Sequence, residues 1–277
     1  MTQVKSNGPM KTIERTIRRL IGRDWERFQP EVRPAAEPQQ LSLEIYSTYC
    51  HNVPAELLEM QAKVFKHLGL PLQQVEFGAD ENDDKVLHRG HGETIEHLIR
   101  ESSADLLIFF DIDCIPLNRG IIEYGYLPSM LAGCLVGPAQ RANHIDRLIY
   151  AAPSAIGFPR SLYSRVGSPA LGPTKVFDVC GKFTHACESQ RIPVIKLPPV
   201  SSLLPKYSLY NDTEHHYGHG TTYAGGIFHS FEIRLGSTRD MFLDKCREVL
   251  ATTPPDHPLG PITAILPQSA KLVGPPK

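Results

Sequence analysis

The run Leu106-Leu107-Ile108-Phe109-Phe110, followed at once by Asp111-Ile112-Asp113, constrains this chain more than any other segment. Its apolar residues are continuous rather than alternating, so the segment 105–113 reads as a strand buried on both faces. Such a strand must be covered by helices on either side, which commits the chain to an α/β domain with a mainly parallel sheet. The strand ends in two aspartates spaced i, i+2, and residues two apart on a strand share a face. At the carboxyl edge of a parallel sheet that geometry aims both carboxylates into the crevice where ligands bind. Two adjacent carboxylates repel one another. A hard cation is their natural neutraliser, so Asp111 and Asp113 are expected to hold Mn2+ or Mg2+, with a nucleotide diphosphate filling the remaining coordination positions. Two solvated turn aspartates would not be preceded by so apolar a run.

The neighbouring segments agree with an α/β reading. LSLEIYSTY (41–49) alternates and is rich in strand formers. Pro54 is placed to start a helix that runs to about Leu68 and is stopped by Gly69. LQQVEF (72–77) predicts a second strand, Asp80 to Lys85 a loop, and GETIEHLIRESS (92–103) a helix. Beyond Pro116 the pattern predicts a helix to about Leu131, strands over 134–139 and 149–158, a short helix over 160–167, a helix opened by Asp178 and running to about Gln190, and a strand over 193–198. Residues 205–226 read as a long loop of histidines, tyrosines and glycines, placed to close over a ligand, and 238–250 as a last helix.

The flanks differ from this middle. Residues 11–28 have helical period, with Ile13, Ile17, Leu20, Ile21 and Phe28 on one face and Arg15, Arg18, Arg19, Arg23 and Arg27 around it. Two readings stand: a helix that packs on the main domain or on another subunit of a homo-oligomer, or a basic amphipathic helix in peripheral contact with a membrane. Three prolines in 29–40 mark a linker. Seven prolines in 252–277 mark an extended or flexible tail. The expected division is therefore 1–40 as helix and linker, 41–251 as a single Rossmann-like domain, and 252–277 as tail.

Composition excludes more than it selects. Of 277 residues, 29 are Lys or Arg and 30 are Asp or Glu, so no general attraction to nucleic acid or to an acidic surface follows. No apolar run approaches the roughly 20 residues needed to span a bilayer. The six cysteines form no CxxC pair, which favours buried, reduced thiols and a cytoplasmic location.

The segment LLIFFDIDCIP resembles the DxD strand of glycosyltransferases with the A-type fold, and the order of elements from Leu41 to about Gly236 is similar to that fold. The resemblance implies a metal-dependent transferase that moves a sugar from a nucleotide-sugar donor to an acceptor hydroxyl. It implies that Ser47, Thr48 and Tyr49, at the end of the first strand, seat the nucleotide base. It also places the start of the helix in HRGHGETIEHLIRES near the nucleotide. A helix N-terminus at His91, Gly92 and Glu93 would offer free amides to phosphate, although the charge of Glu93 opposes this, and Arg89 is a second phosphate candidate. The segment FDVCGKFTHACESQRIPVIKLP resembles the acidic-motif helix of inverting family 2 enzymes, which implies that Asp178 is the general base. Asp178 is equally a residue type that caps helices, and Phe177 stands where the family often has a second acid. His229, in IFHSFEIR, resembles the late histidine that completes the metal shell, while His215, His216 and His219 offer alternatives.

A haloacid-dehalogenase-type phosphatase, in which the first aspartate of a DxD strand is the nucleophile, is the competing class. That family follows its aspartates with Gly-Thr or a similar pair near the chain start. Here Cys114, Ile115 and Pro116 follow, and more than a hundred residues precede.

Overall fold

The computed structural model describes residues 39–264 apart from 79–83, 143–147, 211–213 and 234–235, and the side chains of 84–89 are not described. The expected helix at 11–28 and the segment from 265 onward lie outside the described residues. The compact unit runs Gln39–Ala264. In chain order it contains β1 (Gln39–Leu41), β2 (Leu43–Cys50), α1 (Ala55–His67), β3 (Leu72–Phe77), α2 (Asp84–Glu101), β4 (Leu106–Asp111) and β5 (Cys114–Pro116). There follow a π-helical turn (Ile121–Tyr126) leading into α3 (Leu127–Leu131), then β6 (Leu135–Arg141), β7 (Ile149–Ala151), β8 (Ala155–Pro159), α4 (Arg160–Arg165) and α5 (Gly181–Ser189). β9 (Val194–Leu197), β10 (Pro199–Ser208), β11 (His216–Tyr223), β12 (Ile227–His229), α6 (Gly236–Leu250) and β13 (Ile262–Ala264) complete it.

The central sheet has the order β3-β2-β4-β8-β6-β7, with β9 on the other side of β6. β3, β2 and β4 are parallel, as are β6 and β9. β8 runs antiparallel to both β4 and β6, and β7 antiparallel to β6. Five strands thus share one direction and two oppose it, so the sheet is mainly parallel. The continuous apolar run of β4 has the expected cause. Ile108 and Phe110 enter one core with Leu57, Val64 and Phe65 of α1 and Phe242 of α6. Leu107 and Phe109 enter the other with Ile95 and Ile99 of α2 and Phe183 of α5. Phe110 meets Phe65 edge-on at 5.0 Å between ring centres, and Phe109 stacks between Tyr46 at 5.5 Å and Phe158 at 5.9 Å.

A second sheet, β10-β11-β12-β5, is antiparallel throughout. It corrects the expectation of a loop over 205–226. The glycines that suggested a loop are there because the strands approach closely. A Cβ on Gly218 would stand 2.3 Å from the Leu204 carbonyl oxygen and 2.6 Å from the Lys206 nitrogen.

Four elements differ from the expected pattern. α2 begins at Asp84 rather than 92. The segment 149–158 is two strands broken at Pro153 and Ser154. The helix expected from 178 begins at Gly181, after Cys180 in a left-handed conformation with φ of 62°. The helix expected after Pro116 opens as a π turn. Residues past 251 are held to the body where described: β13 pairs with β1, and the Leu259 N–H donates to the Gly69 carbonyl at 2.9 Å.

Candidate active site

The carboxyl ends of β2, β3 and β4 open into one cavity of about 1140 Å³. Thr48, Tyr49 and Cys50 reach it from β2, Phe77 from β3 and Asp111 from β4, which is the edge the parallel topology predicts. His91, Asp113, Asp178 and His229 also line it. Of the expected site residues the cavity gathers Thr48, Tyr49, His91, Asp111, Asp113, Asp178 and His229, with His219 of the alternatives; Gly92, Glu93, His215 and His216 do not line it. Ser47 is fully buried and is not among the lining residues. Arg89 belongs to the stretch of side chains that is not described.

Asp111, Asp113 and His229 form a cluster in which one ligand atom from each lies within 4.8 Å of the others. The expected reason for the first pairing needs correction. Asp113 is not on the strand; β4 ends at Asp111 and Asp113 occupies the turn before β5. What fixes Asp113 is the second sheet. β12 pairs with β5 so that His229 stands opposite Cys114, and the Ser230 N–H donates to the Asp113 carbonyl at 2.9 Å. The His229 Nε2 then lies 3.2 Å from a carboxylate oxygen of Asp113. The other ring nitrogen, Nδ1, is buried with no hydrogen-bond partner among the described residues. Such a group costs about 1–3 kcal/mol if left unmet. Two carboxylates and an imidazole, mostly buried, are a donor set that suits a divalent cation such as manganese. None of His215, His216 and His219 joins this cluster, and His219 instead pairs with Glu232 at 2.8 Å.

The turn that carries the two aspartates is held by a residue the sequence pattern did not single out. Gln61 is fully buried on the apolar face of α1. Its Nε2 donates to the Asp111 carbonyl at 2.9 Å and to the Cys114 carbonyl at 3.0 Å, bracketing the turn. Its Oε1 accepts from Gln74 at 3.1 Å. The available signal was a glutamine at a core position of an amphipathic helix, since buried amides are kept only where they are fully bonded. Gln61→Leu is expected to weaken Mn2+ affinity by about 10- to 100-fold, as loss of an outer-shell partner does. A calorimetric titration checks this.

Asp111 has neighbours on both sides. Thr48 is its register partner on β2, and the Asp111 N–H donates to the Ser154 carbonyl at 3.0 Å. The hydroxyls of Thr48 and Ser154 are buried, and neither has a partner among the described residues, although both residues line the cavity. Ser154 was hidden in what read as an unbroken strand. His91 Nε2 lies 3.2 Å from Asp111, and its ring stacks on Phe77 at 5.8 Å. Because α2 starts at Asp84, His91 and Gly92 are interior to the helix and their amides are not free for phosphate; the anion site expected there is withdrawn. Burial, and after it the charges of Asp111 and Asp113, push the Cys114 thiol well up, so it stays neutral beside the cluster. All six cysteines are buried and none is in a disulfide.

Asp178 lies on the loop before α5 rather than at the helix cap, which is Cys180. Its own carbonyl accepts from the Gly181 N–H at 2.9 Å, and the loop is closed upstream by the Cys180 N–H donating to the Leu171 carbonyl at 2.8 Å. α2 supports the loop directly. Glu96 accepts from the Leu171 N–H at 2.7 Å, and a Cβ on Gly92 would lie 2.4 Å from the Gly172 nitrogen. Burial first and the Asp178 charge second push the Tyr150 hydroxyl well up. Burial also raises the Tyr217 hydroxyl, opposed by its hydrogen bond with the Arg141 backbone. Asp178 lines the same cavity as both tyrosines.

Fold and site together define an α/β domain with an acidic, histidine-completed cluster at the carboxyl edge of a mainly parallel sheet. No family model matches the chain, and no curated protein matches it. Solved structures similar to it include a mutant Drosophila β-1,4-galactosyltransferase 7 in complex with manganese, UDP-Gal and xylobiose, at 14% identity and a TM-score of 0.41, covering 70% of this chain and 72% of that one. A glycosyltransferase involved in glycosylation of the major capsid of PBCV-1 is similar at 12% identity and 0.38, covering 56% and 81%. An active-site mutant of LgtC is similar at 9% and 0.40, covering 76% and 97%. At such identities and TM-scores the likeness carries no function to this chain. Among the described residues no helix is long and apolar enough to cross a membrane.

Proposed function

We propose that this chain is a metal-dependent glycosyltransferase that moves a sugar from a nucleotide-sugar donor to an acceptor hydroxyl with inversion. The observation that carries the reading is the Asp111–Asp113–His229 cluster, set at the carboxyl edge of the sheet and facing the same cavity as Asp178. Asp111, Asp113 and His229 would hold Mn2+ or Mg2+, which supplies charge neutralisation for the departing diphosphate when bound. Thr48, Tyr49 and Phe77, at the ends of β2 and β3, line the part of the cavity suited to the nucleoside. Ser154 offers a buried hydroxyl beside Asp111. Asp178 takes the proton of the acceptor hydroxyl as its oxygen bonds to the anomeric carbon and the bond from that carbon to the phosphate oxygen breaks. A cavity walled by Phe77, Tyr150 and Phe231 limits competing water. Nothing among the described residues favours the phosphatase reading.

The test is a thermal-shift panel of UDP-, GDP-, CMP- and dTDP-sugars with and without manganese. One nucleotide class is expected to raise the melting temperature only when manganese is present. A panel in which no nucleotide binds, or in which manganese changes nothing, overturns the reading.

A further inference from the structure

The residues lining the cavity fall into two sets carried by different sheets. Thr48, Tyr49, Phe77 and His91 belong to the central sheet and α2. Tyr207, Tyr217 and Phe231 belong to the β10–β11 hairpin and the segment after β12. The metal cluster joins the sets, since Asp111 comes from the first and His229 from the second. The cavity measures about 1140 Å³, at the upper end of the roughly 300–1,000 Å³ usual for ligand sites.

The second set is a continuous aromatic strip. His229 stacks on Phe231 at 3.7 Å between ring centres. Phe231 is followed by Tyr217 at 6.3 Å, and Tyr217 by Tyr207 at 5.4 Å. Tyr217 is buried at 5% and Tyr207 is 51% exposed, so the far end of the strip reaches open solvent. The backbone is distorted to present it. Phe231 and Glu232 are consecutive non-glycine residues with φ of 60° and 46°. Each costs about 1–3 kcal/mol, and such strain concentrates at ligand sites. The ladder slips between Pro205 and Tyr207, and a bulge of this kind re-aims a side chain. Lys206 meets Glu232 at 3.0 Å, and Glu232 also meets His219 at 2.8 Å. The rim of the strip is therefore charged, and Asp178 lines the same cavity.

We infer that the Tyr207–Tyr217–Phe231 strip is the acceptor subsite and that the acceptor is a saccharide. Resting on the glycosyltransferase reading above, the assignment follows from matching surfaces. A pyranose ring has an apolar C–H face that stacks on an aromatic ring and an equatorial belt of hydroxyls that bonds to charged side chains. The strip supplies the rings, and Lys206, Glu232 and His219 supply the polar partners. A lipid chain would offer no hydrogen bonds to that charged rim. A second nucleobase would need a flat, parallel stack, whereas the Tyr207–Tyr217 and Tyr217–Phe231 pairs are each tilted by 34°. The strip, the metal cluster and Asp178 line one cavity.

The experiment is saturation-transfer NMR on the full chain with UDP and Mn2+ present. The probes are methyl α- and β-glycosides of glucose, galactose, mannose, xylose and N-acetylglucosamine. At least one glycoside is expected to receive saturation at its ring C–H protons. Tyr207→Ala should weaken that glycoside by about threefold to tenfold, the worth of one aromatic stacking partner. Tyr207→Phe should retain it. UDP–Mn2+ affinity should stay within about twofold in both variants, because Tyr207 is on the far set. Absence of binding by every glycoside while UDP–Mn2+ binds normally overturns the acceptor assignment and leaves the transferase reading standing. Loss of UDP–Mn2+ affinity in Tyr207→Ala overturns it too, by giving the strip to the donor. Failure of the wild-type chain to bind any nucleotide with manganese in the thermal-shift panel is instead the failure of the transferase reading itself.

Discussion

Asp113→Asn is expected to abolish manganese-dependent nucleotide binding while leaving the metal-free fold as stable as before or slightly more so. The first half follows from position. Asp113 is buried to 8% exposure and is held in place by its own carbonyl, which accepts from Ser230, and by the pairing of β5 with β12. It cannot swing away, and a replacement ligand would have to come from elsewhere. Loss of an outer-shell partner costs up to about 100-fold in metal affinity, so loss of a ligand itself should exceed that. The second half follows from charge. Without a cation, Asp111 and Asp113 repel one another, and Asn removes that repulsion at constant shape. A purely structural Asp113 predicts a different pattern. It would act only as the partner of His229, so Asn would lower metal-free stability by about 1–3 kcal/mol, and manganese would stabilise neither protein. Melting curves of both proteins with and without manganese separate the two outcomes. Asp111→Asn should show the same pattern less completely, because its side chain is more exposed, at 24% against 11%.

The sequence made β4 and its aspartates legible because a strand buried on both faces leaves a signal in a single window of residues. Ile108 and Phe110 go to one core and Leu107 and Phe109 to the other, so no polar residue interrupts the run. The second sheet left no such signal. β10 is an edge strand with Val200, Leu203, Leu204 and Tyr207 exposed, and Gly218 and Gly220 lie in its partner, so alternation is lost and the segment reads as loop. Long-range pairing decides it, with β12 stitched to β5 more than a hundred residues earlier. The same limit applies to the site. His229 could be flagged by its place in the order of elements, but its approach to Asp113 depends on the β5–β12 register. Gln61 sits on a helix whose face was read correctly, and only the fold reveals that its amide spans the aspartate turn. Ser154 was lost to a strand break at Pro153 that no periodicity marks.

Replacing Asp178 with asparagine is expected to reduce transfer to acceptor by about 10²–10⁴, the usual contribution of a positioned general base, with donor binding and fold stability little changed. Before the structure, helix capping competed as an explanation for an aspartate at this point. The cap position belongs to Cys180, whose left-handed backbone turns the chain into α5 without a side-chain cap. The Asp178 carbonyl accepts from Gly181, and that bond survives the substitution. The loop itself is pinned from outside by Glu96 and by the close approach of Gly92 to Gly172, neither of which involves the Asp178 carboxylate. The Asp178 side chain lines the same cavity as Tyr150, Tyr217 and the metal cluster. Turnover near the wild-type level in Asp178→Asn, measured with a saccharide that binds the strip, would remove Asp178 from the mechanism and leave the inverting assignment without a base.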